Sequence, residues 1–393
     1  TVMISIYKTM LPLLAMMPRS RSLSPSSSRA RVTLQQLMSS SSSSSSAENV
    51  CSLVTQEMQN QSEAEALKLM QHYANLRKNA NHSTKVPKVW TTKEEASDFV
   101  RKEIDAVLFD CDGVVYRSPD PAPGARDSIL NLLSQGKRIY FVTNNAAASR
   151  QQLRDKLSKI LDMEEGCLTE DMMVGSGFST AQYLKQALLD SGSNATGRLY
   201  VIGSEGLCNE LREAGFDIMD RTVEKPSMSR DELADYSLDD DQVDAVVVGH
   251  DIELNFRKLC IANVLLQRNP SSKLVATNVD AFDLVGADGR HIPGNGGAVK
   301  YLEHTSRRSA INCGKPSKLL ADLLDSLYGL DTSRAMFVGD RLDTDIRFGI
   351  DTGMHATLVM TGVTSAQQMI DLKEGTEEEP LPSFILPHIG LLA

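Results

Sequence analysis

Short apolar runs alternate along this chain with longer stretches whose apolar residues recur every three or four positions. The runs at 106–109, 139–142, 335–338 and 357–360 have the length and near-continuous hydrophobicity of strands buried on both faces. The stretches at 125–133, 150–160, 180–189 and 316–328 have helical periodicity instead. Strand and helix in alternation predict a parallel sheet with helices on both faces. Ahead of them, Thr92 and Glu95 have capping-box spacing and predict a short helix ending before Asp105. Residues 48–80 contain helix formers, no glycine or proline, and apolar Leu67, Leu69, Met70 and Tyr73. They predict an accessory helix outside the main sheet.

The pattern changes near Ala195. Strand-like runs at 198–202, 245–249 and 274–276 form a second group, with the acidic triplet Asp239-Asp240-Asp241 reading as a solvated loop between them. After about residue 308 the first pattern returns, and a run at 310–313 is expected to rejoin the first sheet. One α/β sheet is thus predicted to be interrupted by a smaller α/β domain. The expected divisions are a disordered or targeting leader at 1–47, an accessory helical segment and linker at 48–92, and the first half of the core at 93–194. The inserted domain at 195–307 and the second half of the core at 308–393 follow.

The 393 residues, 41% of them hydrophobic, suffice for one large or two medium domains. The net charge of −10 argues against nucleic acid as a partner. That charge is uneven: residues 1–47 carry Lys8, Arg19, Arg21, Arg29 and Arg31, the serine run 39–46, and no acidic residue. An acid-free, Arg- and Ser-rich leader has the composition of an organelle transit peptide, for a mitochondrion or plastid, with the cytoplasm as the alternative. Its apolar patch at 10–17 contains Pro12 and is too short to span a bilayer, so no membrane association is expected. Six scattered cysteines without a CxxC pair read as reduced thiols, and the histidines lack zinc-site spacing. Gly175-Ser176-Gly177 lacks the third glycine of a dinucleotide fingerprint.

Chemistry concentrates where apolar strands stop. Val107-Leu108-Phe109 runs into Asp110-Cys111-Asp112-Gly113. Two carboxylates about 4 Å apart at an effective dielectric of about 20 repel by roughly 4 kcal/mol, and a divalent cation reverses that sign. In extended backbone, residues i and i+2 face the same way, so Asp110 and Asp112 can address one substrate while Cys111 packs inward. Phe141-Val142 runs into Thr143-Asn144-Asn145, Cys313-Gly314 into Lys315-Pro316, and Phe337-Val338 into Gly339-Asp340, with Asp343 and Asp345 beyond. If these strands are parallel neighbours, their polar ends meet along one sheet edge, where open α/β sheets bind ligands. Carboxylates for Mg²⁺, with a hydroxyl, amides and lysine for phosphate oxygens, describe a phosphoryl-transfer centre.

Phe109-Asp110-Cys111-Asp112-Gly113-Val114-Val115, Val142-Thr143-Asn144-Asn145, Gly314-Lys315-Pro316-Ser317 and Val338-Gly339-Asp340-Arg341-Leu342-Asp343-Thr344-Asp345-Ile346 resemble the four motifs of the haloacid dehalogenase superfamily. More narrowly, residues 93–390 resemble its eukaryotic phosphoglycolate, pyridoxal and 4-nitrophenyl phosphatases. The resemblance implies a Rossmann-like core with an α/β cap domain and a Mg²⁺-dependent phosphatase acting on a small phosphorylated metabolite. It implies Asp110 as nucleophile and Asp112 as general acid and base. The Asp110 carboxylate, the Asp112 carbonyl and Asp340 would hold Mg²⁺, and Asp345 would orient water from behind. Thr143, Asn144 and Asn145 would bind the phosphoryl group, with Lys315 neutralising charge. In the cap, His250, Asp251, Asn278, Asp283 and the Gly294-Asn295-Gly296-Gly297 turn are candidate leaving-group contacts, although Asn295 stands where relatives commonly carry a small residue. A homodimer through the cap is also implied. The favoured substrate is 2-phosphoglycolate, with pyridoxal 5′-phosphate or glycerol 3-phosphate as alternatives. A phospho-accepting signalling module is the rival from another class, disfavoured because such modules are single compact domains without an insertion.

Overall fold

The computed structural model describes residues 45–79, 86–190, 195–219, 229–234, 242–285, 290–372, 376 and 379–392. The predicted leader, but for its last three residues, and the acidic triplet at 239–241 lie outside them.

The alternating pattern folds as expected. Strands β1 (Lys88–Val89), β2 (Ala106–Phe109), β5 (Arg138–Thr143), β6 (Met173–Gly175), β14 (Ala335–Gly339), β15 (His355–Val359) and β16 (Phe384–Leu386) make one sheet, all pairs parallel. Its order is β1-β16-β15-β14-β2-β5-β6, so the strands bearing Asp110, Thr143 and Asp340 lie side by side at its centre. Their side chains alternate between faces. Val107, Phe109, Phe141 and Val338 pack under helices Lys93–Glu103, Ala125–Ser134 and Arg150–Ile160, while Leu108, Val142 and Phe337 pack under Lys318–Tyr328. Fully burying one such side chain contributes about 1.5–3 kcal/mol, which fixes the register of the strand ends. Helix Arg150–Ile160 starts in a capping box between Ser149 and Gln152. The box expected at Thr92 does not form, because the Thr92 side chain makes no cap hydrogen bond.

A short hairpin, β3 (Tyr116–Arg117) with β4 (Asp120–Pro121), follows the Asp110–Asp112 turn. The inserted region forms a second parallel sheet from β7 (Arg198–Ile202), β8 (Asp217–Ile218), β9 (Ala245–Val248), β10 (Lys273–Ala276) and β13 (Ile311–Asn312), in the order β13-β10-β9-β7-β8. An antiparallel hairpin of β11 (Phe282–Val285) and β12 (Arg290–Pro293) leads into helix Asn295–Ser306. Here the structure corrects the sequence reading. The run at 310–313 does not rejoin the first sheet: β13 pairs with β10 of the second. A two-residue strand carries too little pattern to choose its sheet.

The long helix Ser45–Asn79 is a second correction. It is no mere accessory: Ala66, Leu69 and Tyr73 are buried in one cluster with Ala356 and Leu358 of β15, Met360 just after it, and Leu342 and Ile346 of the turn after β14. Glu65 Oε2 accepts a 2.7 Å bond from the Ala366 amide at the start of helix Ala366–Asp371. Leu67 and Met70, also apolar, are exposed.

Candidate active site

Parallel pairing brings Asp110 beside β14, with its amide donating to the Val338 carbonyl at 2.8 Å. Asp340 follows directly on β14. The chain then makes a wide turn at Leu342–Ile346, closed by an Ile346 amide to Arg341 carbonyl bond of 3.0 Å, and this turns Asp345 back beneath the strand end. Asp345 Oδ2 accepts from the amides of Asp340 and Arg341, each at 3.1 Å. Such close approach needs glycine at 339, where a Cβ would lie 2.1 Å from Asp345 Cβ. Gly113 is required twice over: its φ is +85°, and a Cβ there would meet Asp340 Oδ2 at 2.5 Å.

Lys315 arrives from the other sheet. Asn144 steers it, accepting from the Lys315 amide at 2.8 Å and donating to its carbonyl at 3.2 Å. The ammonium, 1% exposed as a residue, contacts Asp110 Oδ1 at 2.6 Å, Asp345 Oδ1 at 2.7 Å and the Val142 carbonyl at 2.9 Å. Burial alone would depress the lysine, but the two carboxylates outweigh it and hold it well above its ordinary range.

Asp110, Asp340 and Asp345 are all buried and offer oxygens within 4.8 Å of one another. Burial, opposed by Lys315 and reinforced by Asp345, pushes the Asp110 carboxyl up to about 7. Burial, with Asp345 and Asp110 adding to it, also holds Asp340 well above its ordinary value. Three carboxylates against one ammonium leave an excess of negative charge that a divalent cation would neutralise. The donor set fits one. Both Asp345 oxygens have partners, whereas Asp110 Oδ2 and Asp340 Oδ1 receive no protein donor among the described residues. Hard carboxylate oxygens in a small buried cluster suit Mg²⁺.

Asp112 stands apart from this cluster and opens onto solvent. Crowding by protein raises its carboxyl, while Lys156 and a 2.9 Å hydrogen bond from the Tyr116 hydroxyl oppose the rise. Asp283 of the inserted domain acts on Asp112 electrostatically and lies 3.6 Å from His250 Nδ1.

Thr143 is buried at the strand end, and its hydroxyl accepts from the Asn145 amide at 3.2 Å. The side chains of Asn144 and Asn145 have other work. Asn144 Nδ2 reaches Asp280 of the inserted domain at 3.0 Å, and Asn145 Oδ1 accepts from the Ala147 amide to close a turn. Among the candidates in the inserted domain, Asp251 is paired with Lys258 at 2.6 Å and Asn278 donates to the Asn144 carbonyl at 2.7 Å. Asn295 Nδ2 donates to the Val248 and Asn278 carbonyls, and Gly294 is the residue before its helix, so that segment is a helix-opening turn. Sequence reasoning missed Asp280, Tyr116, Lys156 and the 361–364 segment. There the Val363 amide donates to Asp340 Oδ2 at 2.7 Å and the Thr364 hydroxyl to the Asp340 carbonyl at 2.7 Å. The Gly362 break after the apolar run at 357–360 was the available signal.

The family model described as haloacid dehalogenase-like hydrolase matches residues 107–217, and a related HAD-hydrolase-like model matches residues 312–390. Phosphoglycolate phosphatase 2 of Arabidopsis thaliana is 35% identical over 277 residues, 70% of this chain and 89% of that one. A glycerol-3-phosphate phosphatase of Homo sapiens is 33% identical over 303 residues, 75% of this chain and 92% of that one. Among solved structures, a glycerol phosphate phosphatase from Mycobacterium tuberculosis in complex with magnesium aligns with a TM-score of 0.59 at 28% identity, covering 75% of this chain and 77% of that one. The chain belongs to the haloacid dehalogenase-like hydrolase family. Within it, the chain is a phosphoric monoester hydrolase.

Proposed function

We propose that the protein is a Mg²⁺-dependent phosphatase of small phosphomonoesters that works through a phosphoryl group on Asp110. The observation that carries this reading is the buried group of Asp110, Asp340 and Asp345 with Lys315 bridging two of them. Asp110, Asp340 and the Asp112 carbonyl would hold Mg²⁺, which when bound screens the negative charge of nucleophile and phosphate. The Asp110 carboxylate attacks phosphorus as the bond to the leaving oxygen breaks, and Asp112 gives that oxygen a proton. Asp112 then takes a proton from water as the water oxygen displaces Asp110 from phosphorus. Lys315 offsets the negative charge of Asp110 throughout, and the Thr143 hydroxyl and Asn144 amide orient the phosphoryl oxygens. Asp345 holds Lys315 and the Asp340 backbone in place.

The favoured substrate is 2-phosphoglycolate, supported by the 35% identity to a relative of that name. A second reading rests on the inserted domain. Asp283, whose charge acts on Asp112, and His250 beside it suit the hydroxyls of glycerol 3-phosphate better than a second carboxylate. The test is kcat/KM measured side by side with 2-phosphoglycolate, glycerol 3-phosphate and pyridoxal 5′-phosphate. EDTA should abolish turnover and Mg²⁺ restore it. Full activity after exhaustive chelation would refute the metal assignment.

A further inference from the structure

Tyr116, 1% exposed in the β3–β4 hairpin, has no part in the reaction outlined above. Its hydroxyl donates to Asp112 Oδ2 at 2.9 Å. Lys156, on helix Arg150–Ile160, donates to the same hydroxyl at 2.8 Å, and its ammonium lies 4.2 Å from the ring centroid. An ammonium has donors and no acceptor, so the phenolic oxygen must accept from Lys156 and commit its one proton to Asp112. The donation therefore runs in one direction, from Lys156 through Tyr116 to Asp112.

Among the described residues this is the one hydrogen bond to the Asp112 carboxylate. Asp112 otherwise opens onto solvent, with two free side-chain torsions. The backbone supports the same arrangement: the Gly113 amide bonds the Tyr116 carbonyl at 2.8 Å, tying the hairpin to the Asp turn. With Oδ2 held, Oδ1 is the oxygen left for proton exchange.

We propose that Tyr116 and Lys156 are positioning residues for the acid step, holding Asp112 so that Oδ1 delivers its proton to the leaving oxygen. The proposal rests on Asp112 being the general acid. In the balanced step the phosphorus–oxygen bond breaks, its electron pair stays on the leaving oxygen, and that oxygen takes the Asp112 proton. Tyr116 and Lys156 keep their own protons throughout. A misplaced acid matters where the leaving oxygen is strongly basic, as in an alkyl phosphate. It matters little for 4-nitrophenyl phosphate, whose leaving group departs with almost no help.

The test compares the full chain with Tyr116→Phe, Lys156→Met, Lys156→Arg and Asp112→Asn, each with saturating Mg²⁺. Substrates are 4-nitrophenyl phosphate and the best alkyl phosphate of the three named above. Tyr116→Phe should lower kcat on the alkyl ester about tenfold with KM within about twofold, and lower it less than about threefold on the aryl ester. Lys156→Met should act in the same sense, and Lys156→Arg should recover most of the loss. Asp112→Asn should show the same dependence on leaving group at about 10²–10⁴-fold. If Tyr116→Phe and Lys156→Met depress both esters equally, or raise KM alone, while Asp112→Asn keeps its leaving-group dependence, the positioning proposal fails and the acid assignment stands. If Asp112→Asn also depresses both equally, both fail. Thermal melts and near-ultraviolet circular dichroism check folding; should Tyr116→Phe not fold, Lys156→Met at a half-exposed position decides.

Discussion

Asp110 and Lys315 owe their chemistry to where the sheets leave them. Replacing Asp110 with asparagine removes a carboxylate that burial disfavours, so the variant should melt no lower than the wild type without Mg²⁺ while its turnover falls to background. A calorimetric scan beside a phosphate-release assay reads both. The same physics gives the metal-free protein an unusual pH dependence. Asp110, raised to about 7, and Asp280, raised to about 6 mainly by burial, bind protons more tightly folded than unfolded, as do Asp112 and Asp340. The favourable contribution of Asp110 and Asp280 is complete below about pH 4 and is lost as pH rises through 6 to 7, and Asp112 and Asp340 act in the same sense. His388, depressed by burial, works the other way: its contribution builds as pH rises towards about 6.5 and is complete above it, so it opposes the raised carboxyls only in the lower part of the range. With EDTA, the melting temperature should therefore fall between pH 5 and pH 8. Mg²⁺ should raise it more at pH 8 than at pH 5, and at a hundredfold excess over Kd it adds about 2.7 kcal/mol of stability. A metal-free melting temperature that rises steadily over that range would contradict this charge balance.

At the scale of elements, the helix Ser45–Asn79 is tied to the site through packing. Leu69 is fully buried against a cluster that includes Leu342 and Ile346, the apolar flanks of the turn that carries Asp345. Leu69→Ala should cost about 3 kcal/mol in denaturant unfolding, and a loss below about 1 kcal/mol would mean that the helix is loosely held. The central strands and their helices were legible because β2, β5 and β14 are buried on both faces and read as unbroken apolar runs. The site was legible for the same reason: Asp110, Thr143 and Asp340 end those strands, and Lys315 contacts Asp110 as its charge requires. What the sequence hid depends on long-range pairing. The strand β13 delivers Lys315 from the second sheet, and Asp280 meets Asn144 across 136 positions. The seat of helix Ser45–Asn79 is made by Ala66, Leu69 and Tyr73, whereas the equally apolar Leu67 and Met70 stay exposed.

For the whole molecule, Asn144 stands where the two sheets meet, bonding Lys315 and Asp280 at once. Asn144→Ala would leave the Asp280 carboxylate short of a buried partner, at about 1–3 kcal/mol, and free the inserted domain to shift. Thermal stability and KM should both worsen; a variant with wild-type values for both would show that the junction is held elsewhere. The acid-free leader makes a separable prediction: removing residues 1–44 should change where a fluorescent fusion accumulates in cells and leave kcat within about twofold. In the proposed reaction a buried carboxylate at the end of β2, braced by Lys315, carries the phosphoryl group between substrate and water. The most direct test is to quench the enzyme in acid during turnover, reduce with borohydride, and locate the product by tandem mass spectrometry. Homoserine should appear at position 110 in the wild type and be absent from Asp110→Asn. Trapping at another residue, or turnover by Asp110→Asn with nothing trapped, would contradict this role of Asp110.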